Sequence, residues 1–190
     1  MKRLSIVITS TLVLLAMLSG LVAASGPSAS SPVRWLSTFM EVPGSSASLV
    51  SNENGATATL HTSELPEGTY TTWWLIWNNP DKCENPNPVL VGTQCTLADK
   101  GNSEVGYSVV YGTGHVVGSN GVGNFGSQLK KDDLTKVRRG DGLTNPMGAE
   151  IHVVVRYHGE LEPEIVPEEI HTFGGGCPCS NIQAAAFSQN

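Results

Sequence analysis

The chain has 190 residues, 39% hydrophobic and 15% charged, with 21 glycines, 11 prolines and 4 cysteines, which excludes a disordered tail and a collagen-like repeat. Its formal net charge is −6, from 17 acidic against 11 basic residues. The basic residues form no cluster beyond Lys130-Lys131 and Arg138-Arg139, so a nucleic-acid backbone is excluded as a partner.

Residues 1–24 read as an export signal. Lys2 and Arg3 precede an apolar run reaching Ala24, and Val22-Ala23-Ala24 supplies the small residues of a cleavage site. The alternative is a membrane anchor, since a run of about 20 residues could span a bilayer; Thr9-Ser10-Thr11 and the small-residue end argue against it. Cleavage removes two of the 11 basic residues and none of the 17 acidic ones, taking the formal charge from −6 to −8. Residues 25–32, rich in Gly, Ser, Pro and Ala, read as a flexible leader. Residues 33–190 then form one domain, with no internal repeat and no change of composition to mark a boundary.

Within that domain the pattern is of short strands. Ala56 to Thr62 alternates, with Ala56, Ala58 and Leu60 on one face and Thr57, Thr59 and His61 on the other. Leu65-Pro66-Glu67-Gly68 makes a turn. Thr69 to Trp77 follows with both faces apolar, Trp73, Leu75 and Trp77 against Tyr70, Trp74 and Ile76, as expected of a central strand. Glu104 to Tyr111 and His115 to Val117 continue the series. Asn120-Gly121, ahead of Val122 to Leu129, is the signal of a type I′ hairpin. Glu150 to Tyr157 points Ile151, Val153, Val155 and Tyr157 inward and His152, Val154, Arg156 and His158 outward, and a last strand lies near Gln183 to Phe187. Strands of this length separated by Gly, Pro and Asn predict an all-β fold, a single-domain antiparallel β-sandwich, immunoglobulin-like or similar, with a closed barrel as the rival.

Four cysteines in an exported chain are most simply two disulfides. Cys83 and Cys95 bracket an irregular, proline-containing loop, and their pairing is favoured. Cys177 and Cys179 have one residue between them, so either they form a tight bridge or they reach separately to Cys83 and Cys95. A redox-active pair is the functional alternative, although redox motifs usually have two intervening residues.

Trp73-Trp74, Asn78-Asn79-Pro80 with Cys83, Gly114-His115-Val116-Val117-Gly118, Val154-Val155-Arg156-Tyr157-His158-Gly159 and Thr172-Phe173-Gly174-Gly175-Gly176-Cys177 stand in this order. In this combination the chain resembles a group of uncharacterised exported bacterial proteins. The resemblance implies a secreted single-domain protein and brings no catalytic residue with it.

Five histidines raise the question of a metal. His152 and His158 share a strand face but stand roughly 20 Å apart at about 3.3 Å per residue, too far for one ion. A site would have to gather His115, His158 and His171 from turn-flanking positions, holding copper or zinc. Asp99, Asn102 and Glu104 suggest a loose calcium site, which a polar turn explains as well. Gly121-Val122-Gly123-Asn124-Phe125-Gly126 spells GxGxxG, but no βαβ unit surrounds it. Glu160, Glu162, Glu164, Glu168 and Glu169 read as a solvated acidic loop. Trp73, Trp74 and Trp77 offer stacking platforms for an extracellular ligand, unless the loop from Asn78 to Cys95 folds over them. The expectation is a secreted, non-catalytic binding or structural module, free of the membrane once the signal is cut; the alternative is a copper- or zinc-dependent oxidoreductase using rim histidines.

Overall fold

The computed structural model describes residues 27–87, 92–173 and 179–188. Among the described residues ten strands run in chain order: β1 (Ser28–Ser31), β2 (Arg34–Trp35), β3 (Ser46–Asn52), β4 (Gly55–Thr62), β5 (Gly68–Trp77), β6 (Tyr107–Val117), β7 (Gly123–Lys130), β8 (Val137–Arg139), β9 (Glu150–Gly159) and β10 (Ser180–Phe187). They pair antiparallel into a four-stranded sheet, β1-β3-β4-β7, and a six-stranded sheet, β2-β10-β9-β5-β6-β8. A short α-helix, α1 (Val166–Glu169), follows β9. The signal expected over 1–24 lies outside the described residues.

The alternation read in β4 is the alternation observed: Ala56, Ala58 and Leu60 are buried, Thr57, Thr59 and His61 exposed. The inner face of the four-stranded sheet is built of small and medium residues, among them Ala47, Leu49, Ala58 and Leu60, and it meets the large side chains Tyr70, Trp74, Ile76 and Phe187 of the opposite sheet. Small against large is how two twisted sheets fill the space between them. Trp74 satisfies its indole N–H by donating to Ser127 Oγ at 2.8 Å across that space. Gly112 makes room beside it, because a Cβ there would fall 2.5 Å from Thr72 Oγ1 and 3.0 Å from Trp74 Nε1.

Four expectations are corrected. Ser28 to Ser31, assigned to a flexible leader, form β1 and pair with β3 from Ser28↔Val50 to Ser31↔Ala47; the bonds are between backbones, which a composition rich in serine does not register. The strand read from Glu104 begins at Tyr107 and runs unbroken through Gly112 and Gly114. The turn before β7 closes with Gly121 N–H on Gly118 O at 3.0 Å, and Gly121, not Asn120, takes the positive φ of 65°. It therefore makes no type I′ hairpin; it passes the chain from one sheet to the other, where β7 pairs with β4. Glu169 of the supposedly solvated acidic loop is 2% exposed and accepts a bond from Thr69 Oγ1 at 3.0 Å.

The six-stranded sheet is roofed on its outer side. β5 is buried on both faces along nearly its whole length. Over one end lies the connection from β5 to β6, where Trp77, Cys95 and Val105 form a second apolar cluster with Leu75, Cys83 and Tyr107 against it. Cys83 is bonded to Cys95. Glu150, fully buried, holds the roof down by accepting from the Gln94 and Cys95 backbone amides at 2.6 and 3.2 Å, and His152 Nε2 lies 2.9 Å from the same carboxyl group. Asp99 braces it from within, accepting from the Glu84, Asn85 and Thr96 amides and from the Asn85 side chain. Burial raises the Asp99 pKa, but these donors outweigh it and hold the carboxyl below its ordinary range. Over the other end, Ile170 packs so closely on β6 that a Cβ on Gly114 would stand 2.0 Å from its carbonyl oxygen.

Candidate binding face

The tryptophans expected as ligand platforms are all inside. Trp73 is 4%, Trp74 0% and Trp77 1% exposed, so none offers a ring face to a ligand. Trp74 belongs to the inter-sheet core. Trp77 lies under the β5–β6 connection and donates to Thr96 O at 3.2 Å. Trp73 is enclosed edge-on by Tyr111 and Phe173, with ring centroids 5.6 and 4.8 Å away, and Arg156 caps Phe173 at 4.4 Å.

The histidines proposed as metal ligands do not meet. His115 is the register partner of Tyr70, and Tyr70 that of Tyr157, which sets all three on the inner face, where the His115 ring lies 5.5 Å from Phe125 of the other sheet. His158, one residue beyond Tyr157, points through the opposite face. There its Nε2 lies 2.7 Å from Thr71 Oγ1 and its Nδ1 3.4 Å from Cys179 Sγ. Trp73 donates to that same Thr71 oxygen at 2.8 Å, so the Thr71 hydroxyl links the indole to the His158 ring. Burial first, and then the positive charge of Arg156, lowers the His158 pKa from 6.5 to about 4, in keeping with an imidazole held neutral. His171 is exposed and donates from Nδ1 to Pro167 O at 2.6 Å. Among the described residues no group of three or more His, Cys, Asp and Glu stands where it would hold a metal ion; Asp99, suggested for calcium, is occupied by backbone amides. Cys179 is disulfide-bonded, while Cys177 lies outside the described residues.

The open surface is on the four-stranded sheet. Register aligns its outward side chains in rows: Ser46, His61 and Asn124; Ser48, Thr59 and Gly126; Val50, Thr57 and Gln128. β1 extends the second row with Ser30 and the third with Ser28. These positions are exposed apart from the half-buried Ser48 and uncharged; the next row, Asn52, Gly55 and Lys130, brings one positive charge to the end of the face. An open depression of about 450 Å³ lies over the first two rows, lined by Ser30, Ser46, Ser48, Thr59, His61, Asn124 and Gly126 together with parts of Ala47, Leu60 and Phe125. Carbon makes up most of its wall, with hydroxyl, amide and imidazole groups standing among it. Two pairs order these groups: Ser48 Oγ and Thr59 Oγ1 are 2.7 Å apart, and His61 Nδ1 is 2.6 Å from Asn124 Oδ1. Because the amide oxygen only accepts, His61 donates from Nδ1, which leaves Nε2 as an acceptor and the Asn124 amide nitrogen as a donor.

Sequence reasoning placed Thr57, Thr59 and His61 on a polar face but gave them no role. The signal was there in part: β4 alternates with Thr57, Thr59 and His61 outward, while β3 shows Ser46, Ser48 and Val50 and β7 shows Asn124, Gly126, Gln128 and Lys130. Joining them needs the β4–β7 pairing, which the Asn120-Gly121 signal assigned elsewhere.

No family model matches this chain, and no curated protein matches it.

Proposed function

We propose that the chain is an extracytoplasmic, non-catalytic binding module whose ligand face is the outer side of the four-stranded sheet. The observation that carries this reading is the unequal treatment of the two outer faces. One is roofed by a disulfide-tied connection, α1 and the segment leading to Phe173. The other is left open and ordered by side-chain pairs around a 450 Å³ depression that no charged residue lines. Binding sites are largely carbon-lined and furnished with a few placed polar groups, and this open depression shares both properties. Export is supported by the signal pattern of residues 1–24 and by the Cys83–Cys95 bond, since such bonds persist in oxidising compartments. Among the described residues no helix is long and apolar enough to cross a membrane.

The test is amide chemical-shift mapping of the mature protein against neutral gluco-oligosaccharides, oligogalacturonate and short extended peptides. Shifts concentrated on Ser48, Thr59, His61, Asn124 and Gly126 with any of these are expected. Shifts confined to other surfaces, or none with any probe, would overturn the reading.

A further inference from the structure

Glycine in the interior of a strand weakens it, by entropy and by the missing side chain, so each such residue wants a reason. Gly114 has one in the carbonyl of Ile170 at 2.0 Å, Gly112 in Thr72 Oγ1 at 2.5 Å, and Gly123 in the Phe125 ring at 2.6 Å. Gly126 has none of this kind. A Cβ built on it meets nothing within 4 Å, and its φ is not in the left-handed region. Neither backbone nor packing asks for glycine there. What its missing side chain does is deepen the depression, at a point opposite Thr59 and between Asn124 and Gln128 along the strand. A strand glycine is also the mark of a place where something outside approaches the backbone closely.

Resting on the binding role given above, we propose that this notch takes one unit of a neutral polysaccharide. The floor at Gly126 receives the C–H face of a sugar ring, and the Ser48–Thr59 and His61–Asn124 pairs engage its hydroxyls. The chemistry of the face selects this class. A sugar ring presents carbon on its faces and hydroxyls around its edge, each hydroxyl both donor and acceptor; the depression presents carbon between one imidazole acceptor, amide donors and four hydroxyls. A charged ligand would find no opposite charge lining the depression and would give up its hydration without return. The rows are also long enough for a chain. Ser30, Ser48, Thr59 and Gly126 lie on four successive strands, about 14 Å at about 4.8 Å per strand.

The experiment is affinity electrophoresis of the mature protein through gels containing dextran, mixed-linkage β-glucan or galactomannan, set beside polygalacturonate and chitosan. At least one neutral polymer should retard the protein, and equally at low and high salt. Gly126→Val should weaken that retardation at least tenfold without lowering the melting temperature, since the added side chain enters open space. Asn124→Leu, at an exposed position, should weaken it without altering the notch. Retardation by no neutral polymer overturns the proposal; if oligogalacturonate or a peptide still shifts Gly126 in the mapping experiment, the binding face stands and only the ligand class falls. Retardation of Gly126→Val equal to wild type overturns the role of the notch.

Discussion

β4 and β5 are neighbours across the core, and they differ in what lies behind them. β4 buries every second residue and shows Thr57, Thr59 and His61 to solvent; β5 buries nearly all ten of its residues. The inner faces of the two strands do the same work, so the difference belongs to their outer faces. Behind β5, aromatic residues, a disulfide and two buried acids, Glu150 and Glu169, hold a roof in place. Behind β4 there is no roof among the described residues. A face that is covered contributes to stability and has no surface left for a ligand, whereas an open face with little packing is free to be shaped by what it binds.

That contrast is broken most severely by removing Trp77, which is 1% exposed and lies between Tyr107 and His152. Trp77→Ala should cost about 4 kcal/mol and lower the melting temperature by roughly 10 °C, read by calorimetry. A cost under about 1 kcal/mol would mean that the roof collapses into the space or was never packed, against the burial of this side chain.

Acid should weaken the same face. His158 in the unfolded chain titrates near 6.5 and in the folded chain near 4, so its contribution is complete above pH 6.5, declines as pH falls and is gone below about 4, a loss of about 3 kcal/mol. Denaturant melts across that interval should show stability rising with pH. In His158→Gln, less stable throughout, that slope should flatten. An unchanged slope would place the titration on another group.

What was legible in the sequence was local. The period-2 pattern of Ala56 to Thr62 gave both the strand and its two faces, and the two-faced apolar run of Thr69 to Trp77 gave a central strand whose outer side needed a cover. What was not legible depends on pairing. Asn120-Gly121 announces a turn, but a turn does not say which sheet the next strand joins, and on that choice hangs the row of Thr59 beside Gly126. His115 and His158 each looked suited to a rim; only the register through Tyr70 separates them to opposite faces. Glu169 stood in an acidic run, and its partner Thr69 is 100 positions away. Gly126 was hidden among the letters of a GxGxxG match, where its chemistry is that of an empty place in a sheet.

The smallest expected effect on stability comes from the substitution that bears most directly on binding. Thr59→Arg puts a long charged side chain at an exposed position in the middle of the open face. Measured for melting temperature and for retention of whichever probe most shifts Gly126, it should melt within about 2 °C of wild type and lose that retention. Retention at the wild-type level, with the introduced guanidinium standing over the depression, would contradict the claim that the open sheet is where this protein binds.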